Sequence, residues 1–214
     1  MQSGEYDMIK KTPSFLSAKP KNGSLLPDKK YNIIYADPPW KQSKGGLRKS
    51  RPNQTRKLDY ETISLSEIHT HMATARSYSF ENHSLFLWSI DKYLNEAENM
   101  AKELGYRLHA RLVWDKENGV APAFTVRFSH EYLLWFYCGK FQPVARDMRG
   151  KYTTVIRERS VRHSQKPIEA YEMIEKLYPN SNRLEMYARA RRDGWDSWGN
   201  ELDKQNDLTV EDFL

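Results

Sequence analysis

Asp37-Pro38-Pro39-Trp40 places a carboxylate, a stiffened backbone and an indole within four positions. The Asp37 carboxylate only accepts hydrogen bonds, and the Pro38 carbonyl is a second acceptor. Two consecutive prolines fix φ, so the two acceptors converge on a rigid corner. That combination suits a planar exocyclic amine, which has two hydrogens to donate and a lone pair delocalised into its ring. Two acceptors on one side take those hydrogens, favour a more pyramidal nitrogen and direct the lone pair at an electrophile. Trp40 adds a flat face on which a base can stack, an interaction worth about 1–3 kcal/mol. The plain alternative is a proline-stiffened turn with Trp40 in the core.

Such a corner needs a strand to carry it. Tyr31-Asn32-Ile33-Ile34-Tyr35-Ala36 is short, apolar and β-branched, and reads as a buried strand that stops at Asp37. At the carboxyl end of a parallel strand, side chains and carbonyls face the ligand crevice. Further along, Ser64 with Glu67 forms a capping box that starts a helix. Leu85 to Trp88 reads as a second buried strand. Asp91 caps a helix with Leu94, Ala97, Ala101 and Leu104 on one face, closed by Gly105. Leu108–Trp114, Glu131–Tyr137, Arg183–Ala188 and, more weakly, Thr153–Ile156 read as strands, with Asp115–Ser129 as a loop. Lys166-Pro167 opens a helix ended by Pro179. Strands alternating with helices imply an α/β fold with a largely parallel sheet.

Between Lys41 and Lys57 the chain changes character. Lys41, Lys44, Arg48, Lys49, Arg51, Arg56 and Lys57 are accompanied by no acid, and Gly45-Gly46 and Pro52 break any regular element. Leaving directly from the corner, this loop is a candidate nucleic-acid contact, because phosphates are met by Lys and Arg on adaptable supports; its plain alternative is a solvated surface loop. A second basic cluster, Arg146, Arg149, Lys151, Arg157, Arg159 and Arg162, precedes the Lys166 helix, and the two clusters are expected to flank one cleft. Overall, 34 Lys and Arg against 28 Asp and Glu give +6 over 214 residues, compatible with a polyanionic partner. The 39% hydrophobic content supports a core but contains no run long enough to span a bilayer. The lysine-containing N-terminus lacks the apolar core of a secretory signal. The single cysteine, Cys138, excludes an intramolecular disulfide framework. A cytoplasmic location is expected. His69 and His71 lie two apart and do not share a helix face, so no metal site is expected. Residues 1–30 read as an arm or irregular lead-in, and 202–214 as an acidic tail.

From about Tyr31 to Glu201 the chain resembles the MT-A70 family of N6-adenine methyltransferases. The resemblance rests on Asp37-Pro38-Pro39-Trp40, Phe86-Leu87-Trp88, Val113-Trp114-Asp115-Lys116 and Ser164-Gln165-Lys166-Pro167, in order. It continues through Arg183-Leu184-Glu185-Met186-Tyr187-Ala188-Arg189 and Gly194-Trp195-Asp196-Ser197-Trp198-Gly199-Asn200-Glu201. It implies a Rossmann-like fold that uses S-adenosylmethionine, with helices on both faces of the sheet. It also implies a permuted order, in which the catalytic motif precedes the segment that usually begins cofactor binding.

By position, the resemblance makes Asp37 and Pro38 the acceptors for the adenine amine, within a catalytic motif that extends through Pro39 and Trp40. Lys166 becomes the site lysine near cofactor and base. Arg189 is expected to contact the cofactor, and Asn200 and Glu201 its ribose hydroxyls; Asp37 borders the same cofactor site. Structural alternatives are a solvated Lys166, an ion-paired Arg189, and Asn200 and Glu201 as caps of the final turn. Trp195 and Trp198 read as core, and Tyr60 as core or site. Glu131 matches a family acid to which no role is given. Ala190-Arg191-Arg192 departs from the Pro-His-Asn of RNA-modifying members, while Gly-Asn-Glu is common in bacterial and phage members. The resemblance thus points to DNA, with an RNA adenine methyltransferase or a non-catalytic nucleic-acid-binding paralogue as alternatives. No separate target-recognition domain is visible. Specificity then falls to Lys41–Lys57, Asp115–Ser129 or a partner chain, whether a second copy or a different subunit.

Overall fold

The computed structural model describes residues 29–41, 62–117, 126, 128–159 and 165–199. The expected arm at 1–30, save its last two residues, and the tail at 202–214 fall outside that set. So do Lys44, Arg48, Lys49, Arg51, Arg56, Lys57, Tyr60, Arg162, Asn200 and Glu201.

The described chain runs β1 (Tyr31–Ala36), α1 (Leu65–Ser77), β2 (Ser79–Ser89), α2 (Leu94–Glu103), β3 (Arg107–Asp115), β4 (His130–Cys138), β5 (Val155–Arg157), α3 (Ile168–Leu177), β6 (Arg183–Met186) and β7 (Asp196–Trp198). The strands form one seven-stranded sheet in the order β5-β3-β4-β2-β1-β6-β7. β1 is parallel to β2 and β6, β3 to β5, and β6 to β7. β4 alone is reversed, antiparallel to both β2 and β3. It follows β3 without an intervening described helix, so the chain turns back on itself.

Alternating side chains fill two cores, as the period of a strand requires. Tyr31, Ile34 and Ala36 of β1, with Leu85 and Leu87 of β2, pack against Ile68, Met72 and Ala75 of α1 and Ala97 and Ala101 of α2. On the other face, Ile33, Tyr35, Phe86 and Trp88 meet Ala170, Met173, Ile174 and Leu177 of α3. Helices therefore cover both faces. α1 follows β1 on one face and α3 precedes β6 on the other, so a crevice opens at the carboxyl end of β1, where the two connections diverge.

Local signals explain the boundaries. Ser64 accepts from the Glu67 amide while Glu67 accepts from the Ser64 amide, the reciprocal box that starts α1. Gly105, with φ of 82°, lets the chain leave α2 in a left-handed turn. Asp91 does not cap α2: it begins a 3-10 turn, and its side chain makes no cap bond. The tighter turn follows from Tyr93, whose hydroxyl donates to the Lys41 carbonyl and whose ring stacks on Trp40. β7 is the strand that sequence reading missed; its three residues are too short for any period to show.

Candidate active site

The corner is fixed by its backbone. The Asp37 amide donates to the Met186 carbonyl of β6 at 3.5 Å, and the Trp40 amide donates to the Pro38 carbonyl at 2.8 Å. This three-residue turn is centred on Pro39, whose ring presets the φ it needs. A carbonyl has two lone pairs, so the bond to Trp40 leaves Pro38 able to accept once more. Asp37 and Pro39 are half-buried, while Pro38 and Trp40 are buried. The expectation of an open stacking face on Trp40 is corrected here. The indole is 4% exposed, its ring lies 5.3 Å from Tyr93 in a stacked pair, and its Nε1 donates to the Trp88 carbonyl at 3.0 Å. Trp40 anchors the corner from within the core.

Four charges alternate across the mouth of the sheet. Lys166 Nζ lies 2.9 Å from Asp37 Oδ1 and 2.8 Å from Glu131 Oε2, and Lys116 takes the other Glu131 oxygen. The Lys166 ammonium also stands over the Trp88 ring, 5.2 Å from its centroid, and Lys116 over Trp114 at 5.1 Å. Aromatic floors of this kind favour a cation. The strands dictate the set: Asp37 ends β1, Glu131 begins the reversed β4, and Lys116 follows β3, so all three reach the same end of the sheet. Lys166 arrives just before α3.

The electrostatics follow from sharing one cation between two carboxylates. Burial works against the Lys166 ammonium, but Asp37 and Glu131 outweigh it and hold its pKa above the usual lysine range. Burial also pushes Glu131 up, yet Lys166 and Lys116 together bring it down to about 2. Asp37 is raised: burial is the largest cause, Lys166 opposes it, and the Glu131 charge adds to the rise. Glu131 contacts two lysines and shares one of them with Asp37, and Asp37 is left the more basic carboxylate. Lys166 holds Asp37 through Oδ1, and the Arg189 charge also acts on this carboxylate.

Beneath this row lies a buried polar group. The Tyr171 hydroxyl donates to Glu185 at 2.7 Å, and Trp88 Nε1 donates to the Tyr35 hydroxyl at 2.6 Å. Burial raises Glu185 to about 7, with the Asp37 charge adding and the Tyr171 bond opposing.

The third part of the site comes from the end of β6. Tyr187 has φ of 64°, a left-handed turn that is costly outside glycine and turns Ala188-Arg189 away from the strand line. Arg189 is half-buried, and its charge acts on Asp37. Gly199 lies so close to Ala188 that an added Cβ would come within 2.1 Å of the Ala188 carbonyl oxygen. Only glycine permits that approach, which holds the end of β7 beside Ala188. The loop between β6 and β7 is clamped to α3. Arg192 Nε and Trp195 Nε1 both donate to Glu175 Oε1, at 2.7 and 2.8 Å. Arg192, which the sequence left without a role, thus holds the segment that carries Arg189.

The fold brings Asp37, Lys166 and Arg189 to one crevice, with Glu131 and Lys116 added by the structure. Glu131 was visible as an acid at a strand start, but only the reversal of β4 shows that it meets Lys166. Of the basic loop, Lys41 alone is described; it is exposed and follows the corner. The second basic cluster does not act as one unit. Ala145 donates to the Leu177 carbonyl, placing neighbouring Arg146 at the far end of α3, whereas Arg157 lies in register beside Asp115 in the β3–β5 ladder, at the site end.

Comparison with known proteins places these features. A family model described as MT-A70 matches residues 31–201. The type II methyltransferase M.MunI of Mycoplasma sp is 28% identical over 191 residues, spanning 83% of this chain and 80% of that protein. The putative N(6)-adenosine-methyltransferase MT-A70-like of Medicago truncatula is 28% identical over 183 residues, 81% of this chain and 26% of that protein. The N(6)-adenosine-methyltransferase MT-A70-like protein of Drosophila melanogaster is 27% identical over 187 residues, 81% and 27% respectively. The chain therefore spans most of the first relative and about a quarter of the other two.

Proposed function

This chain belongs to the MT-A70 family, and on that premise we propose that it transfers a methyl group from S-adenosylmethionine to the N6 amine of adenine in DNA. The observation that carries the proposal is the Asp37 carboxylate at the carboxyl end of β1. It is one-fifth exposed, held at Oδ1 by Lys166, and set on a proline-locked backbone. The Asp37 carboxylate and the second lone pair of Pro38 are the acceptors that orient the amine. Because burial keeps Asp37 poorly solvated, its acceptor strength is spent on the substrate rather than on water.

The residues present suit the cofactor's chemistry. S-Adenosylmethionine supplies, when bound, an electrophilic methyl on a sulfonium. Lys166 and Arg189 offer cations for its carboxylate, and Asn200 and Glu201 partners for its ribose hydroxyls. Lys166 also opposes the rise that burial imposes on the Asp37 carboxyl. Proton loss from the amine follows methylation, when positive charge makes the nitrogen acidic. A paired adenine must be extruded before its amine can reach Asp37, at a cost of a few kcal/mol. Lys41 and the basic residues after it provide phosphate contacts for that step.

The DNA assignment draws on the Gly-Asn-Glu resemblance and on the match over 80% of the length of a type II methyltransferase. The test is methyl transfer from labelled S-adenosylmethionine to adenine-containing DNA and RNA side by side, with Asp37→Ala as control. Label on DNA adenine N6, lost in Asp37→Ala while cofactor binding largely persists, is expected. Label on RNA alone reassigns the polymer, and label retained by folded Asp37→Ala removes Asp37 from the mechanism.

A further inference from the structure

Lys166 stands immediately before α3, so its ammonium is only as well placed as the first turn of that helix. That turn lacks an ordinary cap. The N-cap residue is Pro167, which has no side-chain cap bond to offer. The first amides of a helix need acceptors, and leaving them unmet loosens the end.

A distant residue supplies them. Glu158, just past β5, accepts from the Ile168 amide through Oε1 at 2.9 Å and from the Glu169 amide through Oε2 at 2.9 Å. Both carboxylate oxygens are engaged by successive backbone donors. The negative charge sits at the positive end of the helix, where it is favoured. The Glu158 carbonyl accepts from Trp114 Nε1 at 2.7 Å, tying the same residue to β3. Trp114 in turn meets Trp88 edge-on at 5.9 Å, and Trp88 is the floor beneath Lys166. The Glu169 carboxyl is nearby and is raised, by burial first and then by the Glu158 charge. The contact persists against that repulsion because its donors are backbone amides.

We infer that Glu158 is a positioning residue, which docks the first turn of α3 onto the sheet and thereby sets the Lys166 ammonium between Asp37 and Glu131. This rests on the proposed catalytic reading of Asp37 and Lys166. A cap within its own helix would stabilise α3 equally well but would leave the helix free to shift against β3 and β5. Glu158 fixes both at once.

The experiment compares the full chain with Glu158→Ala, Glu158→Gln and Glu172→Ala. Glu172 pairs with Lys176 at 3.7 Å on the exposed part of α3, makes neither of the Glu158 contacts, and serves as a control for general weakening of the helix. The first readout is the titration of the Asp37 carboxyl by carbon-detected magnetic resonance, which needs no turnover. The groups facing Asp37 are Lys166, Glu131 and Arg189, with Glu185, Tyr171 and Tyr35 beneath. Of these, Lys166 is the cation whose support Glu158 provides. Displacing it moves the Asp37 midpoint and the acid limb of kcat to higher pH.

Glu158→Ala is expected to lower kcat about tenfold or more, with KM for the cofactor changed less than about threefold. Glu158→Gln keeps one acceptor and recovers part of both effects, and it remains informative if the alanine variant fails to fold. Glu172→Ala leaves both readouts as in the parent. An unshifted Asp37 midpoint in a folded Glu158 variant overturns the inference, as does an equal shift in Glu172→Ala. The catalytic reading fails separately, when folded Asp37→Ala still transfers methyl groups.

Discussion

Lys166 reaches Asp37 at 2.9 Å across the gap between the approach to α3 and the end of β1, and the same ammonium reaches Glu131 at 2.8 Å. One buried cation thus reconciles two carboxylates that would otherwise repel each other. The behaviour of the site under substitution and pH follows from that sharing.

Replacing Lys166 with Met keeps the stem and removes the charge. Two carboxylates are then left facing each other in a poorly solvated place, a change that costs about 3–5 kcal/mol when a buried pair is broken. Denaturant melts are expected to show that loss at neutral pH. Methyl transfer should fall by on the order of 100-fold at saturating cofactor, about the scale of one lost electrostatic contact at a reacting centre. A folded Lys166→Met protein with the parent's turnover removes this lysine from the chemistry.

Glu131 governs resistance to acid. Its folded pKa of about 2 lies below the ordinary 4.5, so its contribution to stability is complete above about 4.5 and disappears as pH falls toward 2. Glu131→Gln should therefore be less stable at neutral pH, on the order of 3 kcal/mol, and lose less between pH 4.5 and 2. Urea melts across that window test the slope, and identical slopes in parent and variant refute the assignment.

Glu185 acts with the opposite sign. Its folded pKa of about 7 lies above 4.5, so the folded protein retains a proton that the unfolded chain releases. Stability from this group is intact below about 4.5 and declines as pH rises to about 7. Glu185→Gln, permanently neutral, should melt at a higher temperature than the parent at pH 8 and show little difference at pH 4. A variant less stable than the parent at pH 8 means that the carboxylate is ionised and satisfied in the fold.

Gly199→Ala tests the close approach at the end of β6. A Cβ placed 2.1 Å from the Ala188 oxygen forces the backbone apart, and overpacking of this kind costs about 1–3 kcal/mol. The segment moved is the one carrying Arg189, so calorimetric affinity for S-adenosylmethionine should drop along with the melting temperature. Unchanged affinity in a destabilised Gly199→Ala protein separates this packing from cofactor binding.

Much of this was legible in the residues. β1 has the bounds read from its apolar run, and α1 starts at the capping box of Ser64 and Glu67. Asp37 and Lys166 stand in motifs whose spacing is local. What could not be read depends on contacts between distant segments. Glu131 pairs with Lys166 only because β4 runs backwards, and no property of Glu131's neighbours encodes that. Trp40 looked available for stacking because its partner, Tyr93, lies far along the chain in what looked like the first turn of an ordinary helix. The second basic cluster looked contiguous because sequence proximity hides the length of the path from Arg146 to Arg157. Glu158 carried no signal, since a side chain capping another segment's helix leaves no spacing rule.

β1 and β6 lie edge to edge, yet one is made early and the other late. A ribosome delivers Asp37-Pro38-Pro39-Trp40 long before Met186, and until then β1 has a bare flank and no Arg189 beside it. The carbonyl that receives the Asp37 amide is thus among the last parts made, and the corner is completed only when a late strand zips onto an early one.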